Sequence, residues 1–155
     1  MAELKEGDKA PAFSAKDQDG KVVSLSDFAG KDVILYFYPK DDTPGCTAEA
    51  CDFRDNYQSL LSKGFNIIGV STDDEKSHKK FVTKYELPFT LISDDEKKIV
   101  EDYGVWVEKN NYGKTYMGTA RKTFIIDGEG NIKKIIAKVD TKESSKQVLD
   151  LLGLN

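Results

Sequence analysis

The chain has 155 residues, of which 32% are charged, and a formal net charge of -4. This length fits one folded domain, residues 1–155, and is too short for two ordinary ones. The acidic balance, with no cluster of Lys and Arg, argues against a nucleic-acid-binding surface. The longest apolar run, residues 33–38, is far shorter than the ~20 residues that cross a bilayer. The first residues lack the apolar stretch of a secretion signal, so we expect a cytoplasmic protein that does not bind membranes.

Three elements are predicted in the first quarter of the chain. The Asp19–Gly20 pair, between two extended segments, is typical of a β-hairpin whose second strand is residues 22–24. Residues 26–28 predict a short helical turn. The β-branched and aromatic run of residues 33–38 predicts a buried strand, because the proline that follows it offers no backbone donor and ends the pairing.

A turn rich in helix-starting residues, 41–45, follows that strand. It predicts that Cys46 lies in or just before the first turn of a helix. Unpaired backbone N–H groups and the helix dipole stabilise an anion at that place, so a thiol there ionises more readily than a free one. The apolar positions of the helix put Cys46 on its inward face, whereas Cys51 points in a different direction. Cys46 is therefore placed to be a nucleophile.

The rest of the chain alternates predicted strands and helices. Strand 65–70 should run parallel to strand 33–38, because a helix connects them through a right-handed crossover. Residues 105–120 show no clear period and predict a long loop or an irregular strand, and such long loops are usually functional. The other predicted elements are a helix opened by residues 73–75 and running through 85, strand 90–92, helix 94–103, strands 123–126 and 132–137 joined as a hairpin, and a helix over 142–152. Together they give an α/β fold with a mixed central sheet flanked by helices.

The segment around the first cysteine carries a motif. Pro39, Thr43 and Cys46 stand in the spacing P-x-x-x-T-x-x-C, which resembles the active-site motif of peroxiredoxins. Residues 43–51 resemble the bacterioferritin-comigratory, or peroxiredoxin Q, branch, in which a second cysteine lies five positions after the first, as it does here. The likeness continues to residues 118–124 and covers most of the chain. It implies a thioredoxin-like fold with a hairpin extension at the N-terminus.

The resemblance also implies an activity, that of a thiol-dependent peroxidase acting on hydrogen peroxide and organic hydroperoxides. Cys46 would be the peroxidatic thiolate, which attacks the terminal peroxide oxygen and becomes a sulfenic acid. Cys51 would resolve that acid as an intramolecular disulfide, which a thioredoxin-like reductant reopens. No cofactor and no metal ion is expected, and the family likeness implies a monomer.

Four further residues of the motif have both a catalytic and an ordinary interpretation. The Thr43 hydroxyl could bond the thiolate and the peroxide, although alone it would be taken for a helix N-cap. Arg121 resembles the active-site arginine of the family and would stabilise the same two groups, although composition alone would make it a surface residue. Pro39 would shield the thiolate from water or simply end the strand. Glu49 matches a family position that orients the arginine, and is also an ordinary residue of a first helical turn.

A thioredoxin-type protein disulfide oxidoreductase is the main alternative, since its fold would be the same. The C-x-x-x-x-C spacing opposes it, as does Arg121, which stands where thioredoxins carry a cis-proline. A zinc site is opposed because two cysteines and one distant histidine cannot supply four ligands. That histidine, His78, is predicted on a solvated helix face. Trp106 and Tyr103 are expected to serve packing rather than to line the approach to Cys46.

Overall fold

The structure, a computed structural model, describes residues 3–154 and contains one central sheet with helices on both faces. The strands are β1 Ser14–Lys16, β2 Val22–Ser24, β3 Asp32–Phe37, β4 Phe65–Ser71, β5 Thr90–Ser93, β6 Trp106–Asn111, β7 Lys114–Thr119, β8 Lys122–Ile126 and β9 Ile132–Ile136. The helices are α1 Pro44–Asp55, α2 Tyr57–Ser62, α3 Glu75–Tyr85, α4 Lys98–Asp102 and α5 Ser144–Leu151, with a short 3-10 turn at Leu25–Phe28. In this described part of the chain, every helix is too short or too polar to cross a membrane.

Five strands form the central sheet in the order β5-β4-β3-β8-β9. Strands β3, β4 and β5 run parallel, whereas β8 lies antiparallel to β3 and β9 antiparallel to β8. The predicted parallel pairing of β3 with β4 and the β8–β9 hairpin are both confirmed. The N-terminal hairpin β1–β2 is present as a separate two-stranded sheet. The mixed sheet, its flanking helices and the hairpin extension agree with the predicted fold class.

The central strand β3 is buried on both faces, and its side chains alternate between two apolar layers. Ile34 and Tyr36 belong to the layer that also contains Cys46 and side chains of α1, α3 and α5. Leu35 and Phe37 face the opposite layer, which α4 and the N-terminal segment cover. Because both faces are covered, the strand is a continuous apolar run in the sequence rather than an alternating one.

Strands β6 and β7 form an antiparallel hairpin, so of the two alternatives predicted for residues 105–120 the long loop is wrong, and the irregular strand is in fact two regular, paired strands. Tyr112 and Gly113 in its turn have φ angles of 52° and 81°. Two successive left-handed residues are what a tight hairpin turn requires, and a tyrosine gives no warning of that conformation. Most side chains of both strands are exposed or half-buried. The strands therefore lack the apolar alternation by which a strand is predicted.

Three predicted helices differ in extent from those of the structure. Helix α4 is shorter than the predicted helix 94–103, because the Asp94 carboxylate accepts a hydrogen bond from the Val100 N–H at 2.8 Å and holds the preceding residues in a turn. The helix that follows β3 is divided into α1 and α2 at Asn56, whose side-chain amide donates to the Asp52 carbonyl at 2.8 Å. Helix α5 begins later than predicted. None of these differences moves the start of α1.

Candidate active site

Cys46 lies in the first turn of α1, and its side chain is only 1% exposed. Pro44 occupies the start of the helix, where the missing N–H costs nothing and the fixed φ angle suits the helical conformation. Thr43 is the N-cap, with an extended backbone. The predicted place of Cys46, at the helix start and on its inward face, is confirmed. Its sulfur lies where free N–H groups and the helix dipole favour an anion.

Arg121 reaches this sulfur from the position directly before β8. Lys122 pairs with Phe37, which brings the residue before β8 beside the end of β3. The guanidinium then donates from Nη2 to Cys46 Sγ at 3.1 Å. A Cβ on Gly45 would lie 3.2 Å from Nη2, so the glycine leaves room for the guanidinium at the helix start. A fixed positive charge beside the sulfur stabilises the thiolate form.

Glu49 holds the other side of the same guanidinium, one turn further along α1. Its Oε1 accepts from Arg121 Nη1 at 2.9 Å, and its Oε2 accepts from the Ser144 hydroxyl of α5 at 3.3 Å. The Glu49 side chain is fully buried, and this burial raises its pKa to about 7, although Arg121 opposes the shift. Glu49 is therefore not only an ordinary residue of the first helical turn, because it also binds and orients the guanidinium of Arg121.

Thr43 and Pro39 belong to the segment that joins β3 to α1. The Thr43 hydroxyl donates to the Lys40 carbonyl at 2.8 Å and makes no cap bond to the helix, so the side chain is not an ordinary N-cap. Because its hydrogen is engaged, the hydroxyl keeps its lone pairs as acceptors. Among the hydrogen bonds of residues 3–154, none joins Thr43 to Cys46. Pro39 is half-buried between the end of β3 and this turn.

Cys51 lies on α1 but away from the cluster around Cys46. It is half-buried and not bonded to the other cysteine, and its charged neighbours are Arg54 and Asp55. Burial raises the pKa of the Cys51 thiol, and Arg54 only partly opposes this. The two thiols therefore differ in surroundings as well as in direction: one faces a guanidinium, and the other is kept largely protonated.

Comparison with known proteins identifies the family. The AhpC/TSA family profile matches residues 6–135. Peroxiredoxin Bcp of Bacillus subtilis is 50% identical over 146 residues, which cover 94% of this chain and 93% of that protein. Peroxiredoxin Bcp of Escherichia coli K12 is 45% identical over 152 residues, with 98% and 97% covered. The chain belongs to the AhpC/TSA family, among the Bcp peroxiredoxins.

Solved structures agree with this membership. The bacterioferritin comigratory protein of Xanthomonas campestris has a TM-score of 0.85 at 35% identity, over 91% of this chain and 90% of its own. A PrxQ of Xylella fastidiosa has a TM-score of 0.91 at 28% identity, over 99% and 98%. The thioredoxin-like fold is thereby confirmed. This peroxiredoxin is a thiol-dependent peroxidase, whose substrate is a hydroperoxide and whose electrons come from a thiol reductant.

Lys109 is a charged neighbour of the peroxiredoxin site that the sequence did not single out. It lies on β6, and its Nζ donates to the Thr119 carbonyl at 2.5 Å. Thr119 stands shortly before Arg121 in the chain. Burial and the charge of Arg121 lower the pKa of Lys109, while the charge of Cys46 opposes this. The β6–β7 hairpin thus brings a second cation towards the sulfur. No local pattern marks Lys109, because the hairpin itself was not predicted.

Two expectations about neighbouring aromatic and histidine residues have different outcomes. The prediction that His78 lies on a solvated helix face is wrong, because its side chain is 0% exposed.

Tyr103 and Trp106 belong to the apolar layer on the side of the sheet opposite Cys46. The Tyr103 hydroxyl donates to the Pro11 carbonyl at 2.7 Å. Packing is therefore the use of both residues, as expected.

Arg121→Ala should slow the reaction of Cys46 with hydroperoxide by about 100- to 1,000-fold, the usual cost of losing one positioned donor to developing negative charge. Alkylation of Cys46 at neutral pH should slow as well, because the guanidinium no longer stabilises the thiolate. The measurement compares the pH profiles of alkylation and of single-turnover peroxide reaction in the variant and the wild type. Coincident profiles and rates would remove Arg121 from the site.

Arg54→Ala is the matched control for that prediction, since it removes the same charge from the neighbourhood of the other cysteine. Its peroxide reaction should stay close to the wild-type rate. Arg121→Ala also leaves the buried Glu49 without its ion-pair partner. The double variant Arg121→Ala/Glu49→Gln carries no unpaired charge, so a rate that stays low in it comes from the lost guanidinium.

Proposed function

We propose that Cys46 is the peroxidatic thiol of this enzyme. The observation that supports this most directly is the 3.1 Å contact from Arg121 Nη2 to Cys46 Sγ at the start of α1. The thiolate attacks the terminal oxygen of the hydroperoxide, a sulfur–oxygen bond forms, and the oxygen–oxygen bond breaks. The second oxygen leaves with the electron pair and takes a proton, as an alcohol or as water. Cys46 remains as a sulfenic acid.

Arg121, Thr43 and Pro39 serve this step in the proposal. The negative charge moves from sulfur to the leaving oxygen, so a donor fixed between the two stabilises the transition state. Arg121 is such a donor, since Glu49 holds the guanidinium at 2.9 Å on its far side. The Thr43 hydroxyl, which donates to Lys40, can accept the O–H of the incoming hydroperoxide. Pro39 covers the site with a ring that brings no competing donor.

Cys51 is the resolving thiol in this proposal. It attacks the sulfur of the sulfenic acid, water leaves, and a Cys46–Cys51 disulfide forms within the chain. A thioredoxin-like dithiol reopens the disulfide and supplies the two electrons of each turnover. Because both thiols belong to one chain, the cycle needs no second copy, which supports a monomer. A cytoplasmic location fits the cycle, since that compartment keeps thiols reduced.

Cys51→Ser separates the two steps of the proposed cycle. The variant should still reduce one equivalent of peroxide and leave a sulfenic acid that a dimedone-type reagent traps, because Cys46 and Arg121 are intact. Sustained turnover with thioredoxin and its reductase should be lost. Hydrogen peroxide and an alkyl hydroperoxide are compared as substrates, since the bacterioferritin comigratory protein of Xanthomonas campestris reduces alkyl peroxides. Full coupled activity in Cys51→Ser would contradict the two-thiol cycle.

A further inference from the structure

Asp41 lies in the loop of residues 39–43, between β3 and α1, and its carboxylate is surrounded by donors. Oδ1 accepts from the Tyr38 hydroxyl at 2.6 Å, and Oδ2 accepts from the Ser77 hydroxyl at 2.8 Å. Oδ2 also lies 2.7 Å from Nδ1 of His78 on α3. Tyr38, the residue that follows β3, and the first turn of α3 therefore hold the carboxylate from two sides.

His78 is fully buried, and both of its ring nitrogens face acceptors. Nε2 lies 2.8 Å from the Ile92 carbonyl of β5, which can only accept, so Nε2 carries a hydrogen. Nδ1 faces the Asp41 carboxylate, which already accepts from two hydroxyls, so Nδ1 donates as well. The ring is an imidazolium when both nitrogens carry a hydrogen, which is the case below its raised pKa. Asp41 and His78 then form a buried ion pair. The other hydrogen-bonding atoms of both side chains also have partners, which a buried pair of charges needs in order to be stable.

The backbone beside this pair is fixed too. The Asp41 N–H donates to Asp73 Oδ2 at 2.8 Å, which ties the loop to the turn that precedes α3. Asp42, the next residue, has a left-handed φ of 57°, and its carboxylate accepts from Lys84 Nζ at 2.7 Å. Thr43, the N-cap of α1, follows directly. A shift of Asp41 is therefore passed to Thr43 through a single residue.

We propose that the Asp41–His78 pair positions the loop of residues 39–43 on α3, and so holds Thr43 and the first turn of α1 in place for the attack of Cys46 on the peroxide. This inference rests on the proposed function. Asp41 and His78 do not touch the sulfur or the substrate, so both are positioning residues. Their contribution is to keep the reacting geometry, since small displacements of a reacting group are costly.

The pair carries its own pH dependence. The titratable groups that face His78 are Asp41 in the loop, Asp73 after β4 and Tyr38 after β3, whose ring lies beside the imidazole. Burial lowers the pKa of His78, but the hydrogen bond and charge of Asp41, with the Ile92 carbonyl, outweigh it, so the pKa is raised above 6.5. A raised folded-state pKa means that the contribution of the pair is full below pH 6.5 and is lost as the pH rises through the raised value.

Asp41→Asn keeps the shape of the pair and reverses this pH dependence. The amide oxygen can still accept from Tyr38, and the amide N–H can donate to Nδ1 of a neutral His78. Without the carboxylate, burial keeps His78 neutral. The loop is then held at high pH and released as the pH falls. A purely structural role, without effect on the site, would not reverse the pH profile of peroxide attack.

The test measures the rate constant for oxidation of Cys46 by hydrogen peroxide, in stopped flow on the reduced full chain, from about pH 6 to 9. Asp41→Ala and His78→Ala should slow this step by about 10- to 100-fold at neutral pH. The rate of Asp41→Asn relative to the wild type should rise with pH. Lys98→Gln is the matched control, because its exposed ion pair with Asp102 on α4 lies apart from the loop and from α3 and contributes little, and its rate should stay within about twofold of the wild type.

Each outcome decides a separate question. Folded variants that attack peroxide at the wild-type rate, with a pH-independent ratio for Asp41→Asn, would overturn the positioning role. If the alanine variants do not fold, the ratio for Asp41→Asn decides alone. A wild-type chain that consumes hydrogen peroxide no faster than Cys46→Ser does would overturn the proposed function itself, and peroxide consumption by both proteins is measured in the same experiment.

Discussion

Cys46→Ser should reduce peroxide turnover to below roughly 1% of the wild-type rate, because the change removes the only nucleophile that the proposal gives to the site. A serine hydroxyl is almost entirely un-ionised at neutral pH, whereas a thiolate is a strong nucleophile even as a minority form. Arg121 and the N–H groups at the start of α1 would still face the hydroxyl, but they are hydrogen-bond donors and cannot act as the nucleophile. The measurement is peroxide loss with thioredoxin and its reductase in excess.

Cys51→Ser is the matched control, since it makes the same sulfur-to-oxygen change further along α1. Peroxide loss in a single turnover should disappear in Cys46→Ser and persist in Cys51→Ser. Thermal unfolding should be similar in the two variants, because a hydroxyl takes nearly the volume of a thiol. Turnover of more than a few per cent in Cys46→Ser would remove Cys46 from its role.

The elements around Cys46 could be predicted from the sequence because their signals are local. Residues 33–38 form a continuous apolar run because β3 is buried on both faces. Pro44 fits at the first position of a helix and not within it, so it marks where α1 begins. The parallel pairing of β3 with β4 follows from the helical segment between them. Local patterns were therefore enough for the centre of the sheet and for the place of Cys46.

Residues that meet only in the folded chain could not be predicted in this way. Charged residues surround His78 in the sequence, but its partners Asp41 and Ile92 are 37 and 14 positions away. Glu49 has the pattern of an ordinary first-turn residue until Arg121, 72 positions later, is placed against it. Burial of these two side chains is a property of tertiary packing, which no short window of the sequence contains.

The two cysteines cannot form a disulfide while α1 is intact. Both lie within Pro44–Asp55, and five residues of an ideal helix separate two Cα atoms by about 8.7 Å. A disulfide needs Cα atoms about 4.4 to 6.8 Å apart, with the Cβ atoms facing each other. Resolution of the sulfenic acid by Cys51 therefore requires that at least one of the two cysteines leaves the helix.

The contacts of α1 indicate which end opens. The sulfenic acid of Cys46 is neutral, so oxidation removes the charge that the Arg121 guanidinium stabilises at 3.1 Å. At the other end, Phe53 is fully buried against Tyr36, with ring centroids 4.9 Å apart. Asp52 also accepts a hydrogen bond from α5 at 2.7 Å. The first turn is therefore the end that opens at lower cost.

Disulfide formation should then unwind α1 from its start to Cys51 or beyond, and speed amide exchange between Gly45 and Phe53 by at least roughly 100-fold, about 3 kcal/mol of lost opening free energy. Helix content should fall with it. Hydrogen exchange with mass spectrometry compares the reduced and disulfide forms, and oxidised Cys51→Ser, which cannot close the bridge, separates the effect of oxidation from that of the disulfide. Equal protection of this segment in the reduced and disulfide forms would contradict the unwinding of α1, because an intact α1 holds the two thiols too far apart to bond.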